Sequence, residues 1–181
     1  MAIKTSLRQF QTELAQRLSS AKAEPAAARR LGVQCGAGYW LIDLADAGEI
    51  VPVPEILPVP LTKPWYVGVA NIRGSLYSVV DFSLFAGADA VPRGQENRLV
   101  LAGSRFGINT AILVTRMLGL RNPRDFTAAP GNGDSAAGAA GAAGSGGPWM
   151  GAHWQDADAR LWHDLKVQEL VEHQDFLQVG L

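Results

Sequence analysis

From Leu31 to Arg121 the apolar residues come in short runs, each cut off by glycine or proline within a few positions. That punctuation leaves room for little but a protein of short strands. Leu31-Gly32-Val33-Gln34-Cys35, a Gly-Ala-Gly turn at 36–38 and Tyr39-Trp40-Leu41-Ile42 predict a first hairpin. Val67 to Ile72, a turn at Arg73-Gly74 and Ser75 to Val80 predict a second. The two prolines in Glu49-Ile50-Val51-Pro52-Val53-Pro54 remove amide donors that a central strand needs, so this strand belongs at an edge. Asp81 can cap a single helical turn over Phe82 to Phe85, which Gly87 would end. Further strands are expected at Arg98–Ala102, Phe106–Val114 and Met117–Arg121, then around Trp149–Trp154 and Arg160–His163, before a short C-terminal helix carrying Val167, Leu170 and Val171. Many short strands with few helices point to small barrels rather than to a parallel sheet.

Two segments stand apart from this pattern. In residues 1–30 six basic residues face Glu13 and Glu24, a net of +4 in a chain whose overall charge is −1. Leu7, Phe10, Leu14 and Leu18 recur at three- and four-residue steps, and Ser6 with Gln9 resembles a capping box. A helix is therefore expected over about 6–22, stopped before Pro25. Its stripe can pack on the protein's own body, or face a partner or a membrane surface. Gly131 to Gly147 holds 7 Gly, 6 Ala and 2 Ser in 17 residues and is expected to be a flexible insertion, since nothing in it is large enough to join a core. The domain division expected is thus a helical extension over 1–30 and one folded unit over 31–181.

Composition excludes several functions. With 48% hydrophobic and 18% charged residues the chain can bury a core, and with residues 31–181 summing to −5 it lacks the basic field of a nucleic-acid binder. The lone Cys35 rules out a disulfide framework or a multi-cysteine metal cage, and is expected as a buried thiol in a cytoplasmic protein. No stretch has the length to span a bilayer or the layout of an export signal, so no direct membrane insertion is expected. There is no G-x-S-x-G, H-E-x-x-H or P-loop, and His153, His163 and His173 are ten residues apart, a spacing that fits neither a helical metal site nor a compact hairpin site. No catalytic residue, metal or cofactor is expected. A competing class is an oligonucleotide-binding small barrel, with Trp65, Tyr66 and Tyr77 as stacking residues.

The most informative stretch is Pro64-Trp65-Tyr66-Val67-Gly68-Val69-Ala70-Asn71-Ile72-Arg73-Gly74, followed by alternating residues to Val80 and by Asp81-Phe82. Alternation should place Asn71 and Arg73 on one face and Ile72 on the other. This segment, with Ala47-Gly48-Glu49-Ile50 and the closing Leu161 to Val171, resembles the CheW-like domain family over about 31–121 and 149–177. Within it the likeness is greatest to the adaptors of type IV pilus chemosensory systems. The resemblance implies a mainly β fold of two intertwined five-stranded SH3-like barrels sharing a core, no catalysis, and a role bridging methyl-accepting chemoreceptor tips to a CheA-type histidine kinase. One apolar barrel face would meet the kinase and a groove between the barrels would meet receptor helices. It also implies that Arg73 and Glu49 pair near the receptor-binding face, that Asn71 and Gly74 shape the turn, and that Val69 and Ile72 complete the partner-binding set. The pair can equally serve only to hold two strands together. The insertion at 131–147, and His163-Asp164 where the family carries apolar strand residues, depart from the pattern.

Overall fold

The computed structural model describes residues 30–129 and 146–181. The helix expected over 6–22 and all but the last two residues of the 131–147 insertion lie outside them.

Among the described residues, twelve strands form two six-stranded sheets. Sheet one contains β1 (Arg30–Cys35), β2 (Gly38–Asp43), β9 (Arg116–Arg121), β10 (Thr127–Ala128), β11 (Met150–Gln155) and β12 (Leu161–Leu165), in the order β10-β11-β12-β2-β1-β9. Sheet two contains β3 (Ala47–Pro52), β4 (Ile56–Leu57), β5 (Tyr66–Ile72), β6 (Ser75–Asp81), β7 (Arg98–Ala102) and β8 (Thr110–Val114), in the order β3-β7-β8-β6-β5-β4. The plan of the two is the same. Each has two antiparallel hairpins joined side by side through a parallel pair, β2 with β12 and β6 with β8, and one further strand on either edge.

Proline sets the edges as expected: β3, with Pro52, borders sheet two on one side and β4, followed by Pro58, on the other. These opposite edges are separated in sequence by Val53-Pro54-Glu55 alone, a link that spans at most about 14 Å. Sheet two must therefore roll until its edges approach. In sheet one the edges β9 and β10 are likewise joined by only residues 122–126. Neither roll is closed by a ladder between its edges, and each has six strands where the resemblance implied five. The expected intertwining also takes a simpler form: sheet two is one contiguous segment, 47–114, inserted between β2 and β9 of sheet one.

Rolling explains why the central strands of sheet two carry apolar residues on both faces. Val80, Val100 and Ile112 face sheet one, where they pack with Leu31, Val33, Trp40 and Ile42. Their neighbours Val79, Leu99 and Leu113 fill the inside of the roll with Ala70 and Ile72. Both faces of β8, Thr-Ala-Ile-Leu-Val, are thus buried. The core between the sheets is capped by helices α1 (Phe82–Phe85), α2 (Val167–Val171) and α3 (Gln174–Leu177), through Phe82, Leu170 and Phe176. Asp81 caps α1 as its sequence suggested: its carboxylate accepts from the amides of Leu84 at 3.1 Å and Val91 at 2.8 Å. One strand was shorter than expected, because Ser104–Phe106 forms a 3-10 turn and β8 starts only at Thr110.

Candidate functional site

The β5–β6 hairpin turns on two residues, Arg73 and Gly74, whose φ angles of 52° and 86° both lie in the left-handed region. That is the two-residue turn whose twist matches paired strands. The side chain of Asn71 pins it, its Oδ1 accepting from the Gly74 amide at 2.8 Å. Alternation then acts as predicted: Asn71 and Arg73 are exposed, while Ile72 points inward among Ala70, Val79 and Leu113. Of the six residues expected to bind a partner, Ile72 is therefore a core residue.

Arg73 reaches the opposite edge of the rolled sheet. Its Nη2 lies 2.5 Å from Glu49 Oε1 on β3, with the arginine side chain 77% and the glutamate 38% exposed. A pair so open to water contributes only about 0–1 kcal/mol to stability. Beside it, the registers Leu57 with Val69 and Asn71 with Leu76 place Val69, Leu57 and Leu76 on the outer face of β4–β5–β6. Val69 is half-buried, while Leu57 and Leu76 are 58% and 63% exposed. The result is an apolar outer face ending in a charged rim.

A second surface runs between the sheets. Its charged end, a cavity of about 290 Å³, carries the ion pairs Arg30–Asp164 and Arg105–Asp46. Burial raises the Asp46 carboxyl above its ordinary range, although Arg105 pulls the other way. Its apolar end, about 540 Å³, is lined by Phe106, Ile108, Val171 and Leu177. The two ends share Arg105 and Gln168. The resemblance implied a groove between the barrels, but no local pattern marks the residues that line this one, because its ion pairs join residues 134 and 59 positions apart.

The histidines correct an expectation. His153 and His163 pair directly across β11 and β12, with Nδ1 atoms 2.7 Å apart, so a ten-residue spacing does bring two imidazoles together in a hairpin. The signal was available: a hairpin whose turn centres near residue 158 pairs 153 with 163. His163 is buried against Trp40, and burial, helped by His153, pushes its pKa down to about 4. No third ligand joins them, and among the described residues no group of three potential ligands gathers anywhere. Cys35 is buried, and burial first, then the Asp81 charge, raises its thiol far above the ordinary range. Trp65, proposed for base stacking, is buried with its ring stacked 5.8 Å from Phe176, and Tyr77 packs inside the roll. The stacking platform that an oligonucleotide module would need is absent at those positions.

Comparison with known proteins gives the class. The family model for the CheW-like domain matches residues 29–174, and the chain belongs to that family of scaffold adaptors. It is similar to Protein PilI of Pseudomonas aeruginosa, with 26% identity over 92 residues, 51% of this chain. The match spans about half of the length of that relative, also 51%. In fold it resembles the scaffolding protein TtCheW from Thermoanaerobacter tengcongensis, with a TM-score of 0.61 and 16% identity over 82% of this chain and 94% of that one. No helix among the described residues is long and apolar enough to cross a membrane.

Proposed function

We propose that this chain is a non-enzymatic cytoplasmic adaptor that couples methyl-accepting chemoreceptors to a CheA-type histidine kinase and thereby controls type IV pilus twitching motility. The observation that carries the reading is the exposed Glu49–Arg73 pair at the end of an apolar outer face, a rim charge with little structural work to do. Family membership and the likeness to PilI support the chemosensory role. Val69, Leu57 and Leu76 supply apolar contact area, while Asn71 and Gly74 hold Arg73 at the tip of its hairpin.

The test is reconstitution with receptor fragments and kinase, measured by titration alongside thermal unfolding. Arg73→Ala should leave folding near normal and weaken assembly. If the arginine meets a buried carboxylate at the interface, the loss corresponds to ~2–5 kcal/mol, roughly 30-fold or more in Kd. Unchanged assembly, or weakening that only follows unfolding, would return the pair to a purely structural role.

A further inference from the structure

We infer that the groove between the two sheets is the seat of the chain's own N-terminal segment, whose Leu7, Phe10, Leu14 and Leu18 stripe docks against Phe106, Ile108, Val171 and Leu177. This goes beyond the adaptor reading and does not rest on it.

Three observations select this occupant. The first is connection. Arg30 opens β1 and also lines the charged end of the groove, so residues 1–29 leave the fold at the groove itself. The charged and apolar ends are continuous through Arg105 and Gln168.

The second is reach. The helix expected over 6–22 would be about 25 Å long. The remaining residues, 23–29, can span about 23–25 Å when extended. Tether and helix together reach about 50 Å.

The third is charge. Residues 1–29 carry Lys4, Arg8, Arg17, Lys22 and Arg29 against Glu13 and Glu24, a net of +3. In the groove, Arg30 pairs with Asp164 and Arg105 with Asp46, which leaves Asp43, Glu169 and Glu172 against Lys166. A basic amphipathic segment thus meets a groove of acidic excess, at an effective concentration that a short tether keeps high. The apolar end supplies what the stripe needs: Val171 as floor, Phe106 and Ile108 half-buried as walls, and Leu177 exposed at the lip.

The experiment uses the full chain. A nitroxide is attached at Gln16→Cys, on the polar side of the expected helix. Cys35 stays unlabelled because it is buried and its thiol resists ionisation. Paramagnetic broadening is read in the NMR spectrum. The expected result is strong broadening at Ile108, Val171 and Leu177 and none at Leu76 on the outer face of sheet two. Adding Leu14→Glu and Leu18→Glu should abolish it while the remaining spectrum stays folded, and raising salt should weaken it. Glu172→Lys at the groove should weaken it from the other side. Broadening spread evenly over the surface, or centred on Leu57 and Leu76, would overturn the inference, as would broadening that survives both glutamates. Mixing nitroxide-bearing chains with isotope-labelled ones tests for a second copy: broadening that appears only between different molecules would also overturn it.

Discussion

The two hairpins β5–β6 and β11–β12 occupy matching places in their sheets and are stabilised in opposite ways. The first is fixed at its tip, by left-handed Arg73 and Gly74 and the Asn71 side chain, and leaves its polar residues in water. The second is fixed along its length by like-on-like rungs, His153 with His163 and Trp154 with Trp162. At its turn the Asp156 carboxylate accepts from Trp162 Nε1 at 2.9 Å. Trp162 is fully buried between Tyr39 and Phe126, with Arg121 over its ring. A hairpin held by its turn has side chains to spare for a partner, whereas one held by its rungs commits its largest side chains to holding itself.

If that contrast is correct, substitutions in the second hairpin should cost far more stability than those in the first. Trp162→Ala should have the largest effect, a loss of ~3–5 kcal/mol by denaturant titration. A loss below ~1 kcal/mol would mean that the rungs do not hold the second hairpin.

Acid should come next. His163 has a pKa lowered to about 4 in the folded protein against an ordinary 6.5, so between these values the unfolded chain binds more protons. Its contribution is therefore fully present above pH 6.5 and is lost as the pH falls towards 4. The total is on the order of 1–3 kcal/mol. Unfolding followed from pH 7 to 4 should show this slope, and His163→Gln should flatten it. A slope that the substitution leaves unchanged would assign the acid sensitivity elsewhere.

In the first hairpin, Gly74→Ala should cost about 1 kcal/mol. Its φ of 86° disfavours a side chain, but a Cβ there would meet nothing within 4 Å, so the cost is conformational alone. Gly74→Asn, which tolerates that conformation better, should recover part of it in the same melts. The smallest effect belongs to Arg73→Ala. Its stability should change by less than ~0.5 kcal/mol, and a double-mutant cycle with Glu49→Ala should give a coupling below ~1 kcal/mol. A larger coupling would make the rim pair a structural brace.

What could be read in the sequence was whatever local chemistry decides. The Arg73-Gly74 turn, the prolines of β3, the Asp81 cap and the run of α2 each depend on residues within a few positions of one another. The pairing of Glu49 with Arg73 came from resemblance, since their approach depends on the rolling of a sheet that no local pattern encodes. The groove, too, came from resemblance, and its lining could not be read for the same reason: Arg30 meets Asp164 only after sheet one is complete. The extra edge strands β4 and β10 escaped notice because two residues carry no periodicity. The histidine rung is legible only once the two strands are paired about a turn centred near residue 158, which sets 153 opposite 163.

The insertion of sheet two within sheet one has a kinetic consequence. Strands β2 and β12 are neighbours in space yet are separated by more than a hundred residues, so in the unfolded chain their pairing must close a very long loop. Once 47–114 has rolled up, that stretch no longer counts as flexible chain in the loop, which is shortened accordingly. Sheet two should thus form early and sheet one late. Its early form is incomplete all the same, because Val80, Val100 and Ile112 stay uncovered until sheet one arrives. Pulse-labelled hydrogen exchange during refolding should protect the amides of β6 and β8 before those of β1 and β12, and the reverse order would place the nucleus in the outer sheet.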